Sequence, residues 1–434
     1  MALDDVAQEC AKLSFTALVS SFFDRGVMRF ISFSRRTFGV GMWAAAATPV
    51  SSVFTPSAVA FGEEQSAKTD GMGGTRARVH STRVISRSDG YYCGWPTVTR
   101  RSNGQLFVVW SGGREQHVCP FGRVDTMRSD DEGKTWSWPR TLLDGSIDDR
   151  DAGVLETAAG SLLVTTFTSL AYVDYELKKS IRQKGTPQAW PEKRLQDWLA
   201  VHERLNEKQR KSELGQWMIR STDGGITWSE RYSSIVNSPH GPIQLSDGRQ
   251  LYAGVKLWDP SRMVGVCQSV DDGQSWTWLA EIPTRPGDDA KNYHELHAVE
   301  ATDGTIVVQI RNHNTKNHRE TLQCESNDGG KTWSVPHSIG VWGLPSHLLR
   351  LGDGRLLMSY GYRREPFGVQ ARLSHDCGKS WSKPMSIASD GVGGDLGYPS
   401  TVELSSGRLL TVWYERMQRS PKAVLRQAEW SIES

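Results

Sequence analysis

The 434-residue chain has no run of 18 consecutive apolar residues, so no segment of it reads as a membrane-spanning helix. It also lacks an excess of charge of either sign. Lys plus Arg number 51 against 49 for Asp plus Glu. That balance argues against a nucleic-acid or polybasic membrane role, which needs clustered base. Cysteine is sparse, with six residues, and no Cys/His group has zinc-ligand spacing. No metal and no cofactor is therefore expected. Cys93 and Cys119 are placed where an oxidising compartment would allow a bridge, and Cys267 and Cys324 read as packing thiols at equivalent strand positions. What the chain does have is 42 Gly and 17 Trp, with 38% hydrophobic residues. Abundant Gly and Trp without a sustained helical period point to a turn-rich β architecture with a substantial core.

The first sixty residues read as an export segment. Ser34-Arg35-Arg36-Thr37-Phe38 has the twin-arginine pattern, a mild apolar stretch runs from Gly39 to Phe54, and Ala58-Val59-Ala60 offers small residues for cleavage. Residues 1–27 then read as an extension upstream of Met28, and residues 61–434 as the mature domain, working in the periplasm or outside the cell.

Two interlocking repeats set the architecture. Ser-x-Asp-x-Gly-x-Thr/Ser-Trp occurs five times, at Ser129–Trp136, Ser221–Trp228, Ser269–Trp276, Ser326–Trp333 and Ser374–Trp381. Asp is suited to accept turn amides, Gly to supply a left-handed backbone, the hydroxyl to tie the turn and Trp to wedge against a neighbour. A second signal, a Gly-ended turn followed by a β-rich run, recurs at Gly104, Gly160, Gly248, Gly304, Gly354 and Gly407. A unit of about fifty residues with two hairpins is one four-stranded propeller blade. The predicted fold is all-β, a six-bladed propeller. The long interval between Gly160 and Gly248 predicts an insertion in the second blade, about residues 172–216, in which Trp198, Leu199, Val201 and Leu205 fall at helical spacing.

Five such boxes in a six-bladed propeller resemble the sialidase (neuraminidase) superfamily over about residues 80–430. In that superfamily the boxes are scaffold. The resemblance implies a Tyr nucleophile activated by a Glu, an Asp acid/base and an Arg clamp on the substrate carboxylate. A phenol suits this substrate because a carboxylate nucleophile would be repelled by the sugar's own charge, and the Arg fork binds a carboxylate in two-pronged fashion. Carried onto this sequence, the resemblance implies Glu295 as the Tyr partner, Tyr398 as the nucleophile, and Arg311 and Arg363 as clamp residues.

The chain departs from the family in two places. Where a first-blade Phe-Arg-Ile-Pro is expected it reads Tyr92-Cys93-Gly94-Trp95-Pro96, leaving Arg114 or Arg150 to replace the missing Arg. The loop from Arg114 to Arg123 has no Asp, leaving His117 or Glu115 as proton donor. His240, His294 and His347 lie near strand starts and are candidates to ring the pocket and contact sugar hydroxyls. The leading expectation is an exo-acting glycoside hydrolase on a glycan bearing a carboxylate, with no nucleic-acid partner. A non-catalytic glycan- or protein-binding propeller and a uronic-acid polysaccharide lyase are the alternatives.

Overall fold

A computed structural model of the chain describes residues 75–86, 90–314, 320–418, 420 and 422–433. The segments read as an export signal lie outside the described residues. Six four-stranded antiparallel sheets form the blades of a propeller. The first strands of successive blades are Tyr92–Arg100, Asp148–Glu156, Ile243–Gln244, Tyr293–Glu300, Ser346–Arg350 and Leu396–Glu403. Buried aliphatic and aromatic side chains fill the spaces between neighbouring sheets, as in the cluster that joins Val108 and Met127 of the first blade to Val412 and Leu425 of the sixth. Among the described residues no helix is long and apolar enough to cross a membrane.

The sixth blade has no box, for a topological reason. Its outer strand is Arg76–Val84, which pairs antiparallel with Ala423–Glu433. The turn between third and fourth strands, where the other boxes sit, therefore does not exist in that blade. In the first box Ser129 donates to Asp131 (2.7 Å), the Gly133 amide donates to Ser129 Oγ (2.8 Å), and the Thr135 amide and hydroxyl donate to Asp131 (2.8 and 2.6 Å). The same network recurs around Asp223, Asp271, Asp328 and Asp376. The box Trp side chains face the preceding blade: Trp136 Nε1 donates to Gln427 (2.8 Å) and Trp381 Nε1 to Gln323 (2.9 Å).

The insertion lies between the second and third strands of the second blade, Leu162–Ser169 and Gln216–Ser221. It is helical, as the spacing of Trp198, Leu199, Val201 and Leu205 predicts. A π-helical turn Val173–Leu177 precedes helices Lys178–Arg182, Glu192–His202 and Glu207–Ser212. Their apolar faces enclose Tyr172, Leu177, Leu195 and Trp198 together with Cys119 of the first blade. Trp198 Nε1 donates to Glu115 (2.7 Å) and Arg194 to Gln116 (2.6 Å), so the insertion braces the loop that carries His117. Cys93, Cys119, Cys267 and Cys324 are buried free thiols, the last two in matching third strands.

Gly133 has φ +82°, and a Cβ there would collide with Leu410 of the sixth blade. Gly133→Ala is expected to lower unfolding stability by about 1–3 kcal/mol, read from denaturant midpoints. An unchanged midpoint would show that this box does not contribute to blade packing.

Candidate functional site

The first strands of four blades are irregular at the same end of the ring. Register slips fall between Gly94 and Thr97, Arg150 and Gly153, Tyr293 and Leu296, and Gly397 and Ser400. Within the slips Trp95, Asp151 and Tyr398 have φ of +54°, +49° and +52°. A left-handed non-glycine residue costs about 1–3 kcal/mol and persists where the surroundings enforce it, often at functional sites. Each slip acts as a β-bulge that re-aims one side chain. Together they turn Trp95, Asp151, Glu295 and Tyr398 into one cleft of about 560 Å³.

At its floor Tyr398 Oη donates to Glu295 Oε1 (2.5 Å). Arg311 Nη1 donates to both Glu295 Oε1 (2.9 Å) and Tyr398 Oη (3.1 Å), and Arg311 Nε donates to His313 Nε2 (2.8 Å). Burial alone would raise the Glu295 carboxyl. The Arg311 guanidinium overrides it, with help from His294 and the Tyr398 hydroxyl, and holds Glu295 at about 2. Tyr398 is raised well above the ordinary phenol range by burial and by the Glu295 charge. The pair at neutral pH is therefore a phenol donating to a carboxylate that stays ionised.

Arg150 also lines the cleft, with its guanidinium carbon 4.8 Å from the centre of the Trp95 ring. Arg363 lies 5.8 Å from the Tyr398 ring centre, with Nε tied to the Leu396 carbonyl (2.8 Å). His117 lines the cleft half-exposed, and its Nδ1 is engaged by Tyr92 Oη (2.8 Å) and Asp395 (3.0 Å). Burial lowers its proton affinity despite the Asp395 bond. Glu115 is turned to the insertion through Trp198 and Arg194.

Three expectations are corrected by position. Arg114 is fully buried in a two-pronged pair with Asp148 (2.6 and 3.0 Å) and donates to the His117 carbonyl (3.0 Å). Both of its Nη groups are spent on Asp148 and the loop, and it does not line the cleft, so it is not placed as a clamp. His240 and His347 are not part of the cleft lining either. With His297 they form a buried cluster near the ring axis, His297 stacked on His347 at 4.5 Å and His240 at 5.1 Å from His347. Of the three strand-start histidines, His294 alone reaches the cleft, 4.4 Å from His313 and 3.4 Å from Arg262 Nη2. Among the described residues no group of three or more His, Cys, Asp or Glu is placed to hold a metal ion.

Asp151 and Arg262 were missed as site residues. Asp151 was visible beside Arg150 at a strand start. Its left-handed bulge, shared with Tyr398, has no sequence marker. Arg262 sits in the turn between the second and third strands of the third blade, outside both repeats.

A family model described as a BNR repeat-like domain matches residues 172–411, more than half of the chain. The chain belongs to this family. Its propeller and its relatives place it within the sialidase superfamily. It is 23% identical over 261 residues to a sialidase of Clostridium perfringens, a match that covers 59% of this chain and 52% of that one. The chain thus spans about half the length of that curated relative. In fold it is similar to a Dyadobacter fermentans protein of unknown function, at TM-score 0.67 and 22% identity, covering 83% of this chain and 100% of the other. It is also similar to the intramolecular trans-sialidase of Ruminococcus gnavus in complex with oseltamivir carboxylate, at TM-score 0.56 and 13% identity, covering 79% and 94%.

The histidine cluster carries a pH prediction. His297 Nδ1 accepts the Leu348 amide (2.9 Å), so it is unprotonated there. Burial lowers all three residues, His240 to about 3. Their folded values lie below the unfolded value of about 6.5, so the stability they contribute is present above it and lost as pH falls toward about 3. The thermal midpoint is expected to drop between pH 7 and pH 4, and less steeply in His347→Gln. Equal slopes for the two proteins would exclude the cluster as the cause.

Proposed function

We propose that the chain is an exported glycoside hydrolase that releases a terminal acidic sugar, sialic acid or a relative of it, from a glycan. The observation that carries this reading is the 2.5 Å hydrogen bond from the Tyr398 phenol to the ionised Glu295 carboxylate inside a cleft bordered by arginines. A neutral phenol approaches an anomeric carbon beside a carboxylate without the repulsion a charged nucleophile would meet. As the oxygen of Tyr398 bonds to that carbon, its proton passes to Glu295, to which it is already hydrogen-bonded. Arg311 stabilises the charge that collects on both oxygens through its single Nη1. Arg311 and Arg150 are the cationic groups of the cleft best placed for the sugar carboxylate, with Arg363 beside the Tyr398 ring. Export rests on the twin-arginine segment and the small-residue pattern that follows it.

A second reading, a binding propeller without turnover, is favoured by Trp95 standing next to the position where the resemblance expects an Arg, and by the engagement of Arg114 with Asp148.

Tyr398→Phe and Glu295→Gln are each expected to lower kcat on 4-methylumbelliferyl N-acetylneuraminide by about a thousandfold or more, with the circular dichroism spectrum unchanged. Wild-type activity in Tyr398→Phe would remove the nucleophile assignment. Binding of sialyllactose by the wild type with no release from either substrate would favour the binding module.

A further inference from the structure

The proposed reaction needs a proton for the departing oxygen, and Tyr398, Glu295 and Arg311 do not supply one. The opening of the second blade carries Asp148, Asp149 and Asp151. Asp148 is consumed by Arg114 and Asp149 accepts the Gly145 amide (2.6 Å), both away from the cleft lining. Asp151 is different. Asp149 shares with it an Oδ1 that is buried without a hydrogen-bond partner, but Asp151 lines the cleft with Glu295 and Tyr398, is 7% exposed and sits in a left-handed bulge. A strained backbone that places a carboxyl with an unpartnered oxygen in the lining of a cleft has no packing purpose.

We propose that Asp151 is the catalytic acid/base of this cleft, on a different blade from the loop where the resemblance puts an acid. The assignment rests on the glycosidase reading above. In the first step the Asp151 proton moves to the glycosidic oxygen as its bond to the anomeric carbon breaks, while Tyr398 Oη bonds to that carbon and its proton goes to Glu295. In the second step Asp151 takes a proton from water and the water oxygen bonds to the anomeric carbon. The Tyr398 bond breaks and the phenol recovers its proton from Glu295. The balance is one water consumed and one glycosidic bond cleaved. The charged groups facing Asp151 are Arg150 beside it, Arg114 of the first blade, and Glu295 and Arg311 of the fourth. Burial pushes its carboxyl up to about 7 against the pull of Arg150, with Glu295 adding to the rise, so that both protonation states are accessible near neutral pH.

The test compares a good and a poor leaving group. Asp151→Asn and Asp151→Ala are assayed on 4-methylumbelliferyl N-acetylneuraminide, whose phenol leaves with little help, and on sialyllactose, whose alcohol needs a proton. The expected loss is about 10²- to 10⁴-fold on sialyllactose and much smaller for bond cleavage in the aryl glycoside. Added azide should restore turnover of the aryl glycoside by Asp151→Ala, and the wild-type fall in kcat/KM above about pH 7 should vanish in Asp151→Asn. A retained burst of aryl bond cleavage also shows that the variants fold. Equal effects on both substrates, or a leaving-group dependence that follows His117→Ala instead, would overturn the assignment. If the wild type cleaves neither substrate, the glycosidase reading fails and takes the assignment with it. If the wild type cleaves both and Asp151→Asn does the same, only Asp151 is excluded.

Discussion

The antiparallel pairing of Arg76–Val84 with Ala423–Glu433 joins two segments some 350 residues apart in sequence, and the ring depends on it. Without that pairing the third strand of the sixth blade, rather than being the penultimate one, would be an open edge. The strand also adds Ala77 to the apolar cluster between the fifth and sixth blades. Loop-closure entropy rises only slowly with length, so the separation is a modest cost beside the interface it completes. The same arrangement explains why five boxes serve six blades: a box needs a continuous turn between third and fourth strands, and the closing blade has none.

Ring closure brings the innermost strands together around an axis, where their starts converge at one mouth and histidines fill the interior. The site is built from irregularity imposed on those strands. Regular pairing would alternate side chains between the faces of each blade. The bulges break that alternation at Trp95, Asp151, Glu295 and Tyr398, and three of the four pay in left-handed backbone. The blade packing around them supplies the stability that makes this tolerable.

Electrostatics then divides the two carboxylates of the cleft. Both are buried, so both would be raised by desolvation. Glu295 lies against Arg311 and is held at about 2, whereas at Asp151 burial outweighs the pull of Arg150 and pushes the carboxyl up to about 7. One is fixed as an acceptor and the other is left able to exchange its proton. The insertion contributes indirectly, by packing Trp198 and Arg194 against the loop that brings His117 to the rim.

The repeats alone determined the blade count and the position of the insertion, and the resemblance added the scaffold role of the boxes. Their hydrogen bonds are local, formed within eight residues, and local chemistry is written in order along the chain. The juxtaposition of Tyr398 with Glu295 and Arg311 was legible only through resemblance to a family, because nothing in composition or spacing links residues 103 positions apart. The fates of Arg114, His240, His347 and Asp151 were decided by tertiary structure. An Arg at a strand end reads the same whether it meets a ligand or a buried Asp148. A strand-start residue reads the same whether its backbone is regular or turned by a bulge. Those choices depend on which strand of another blade lies alongside, and that is fixed only when the ring closes.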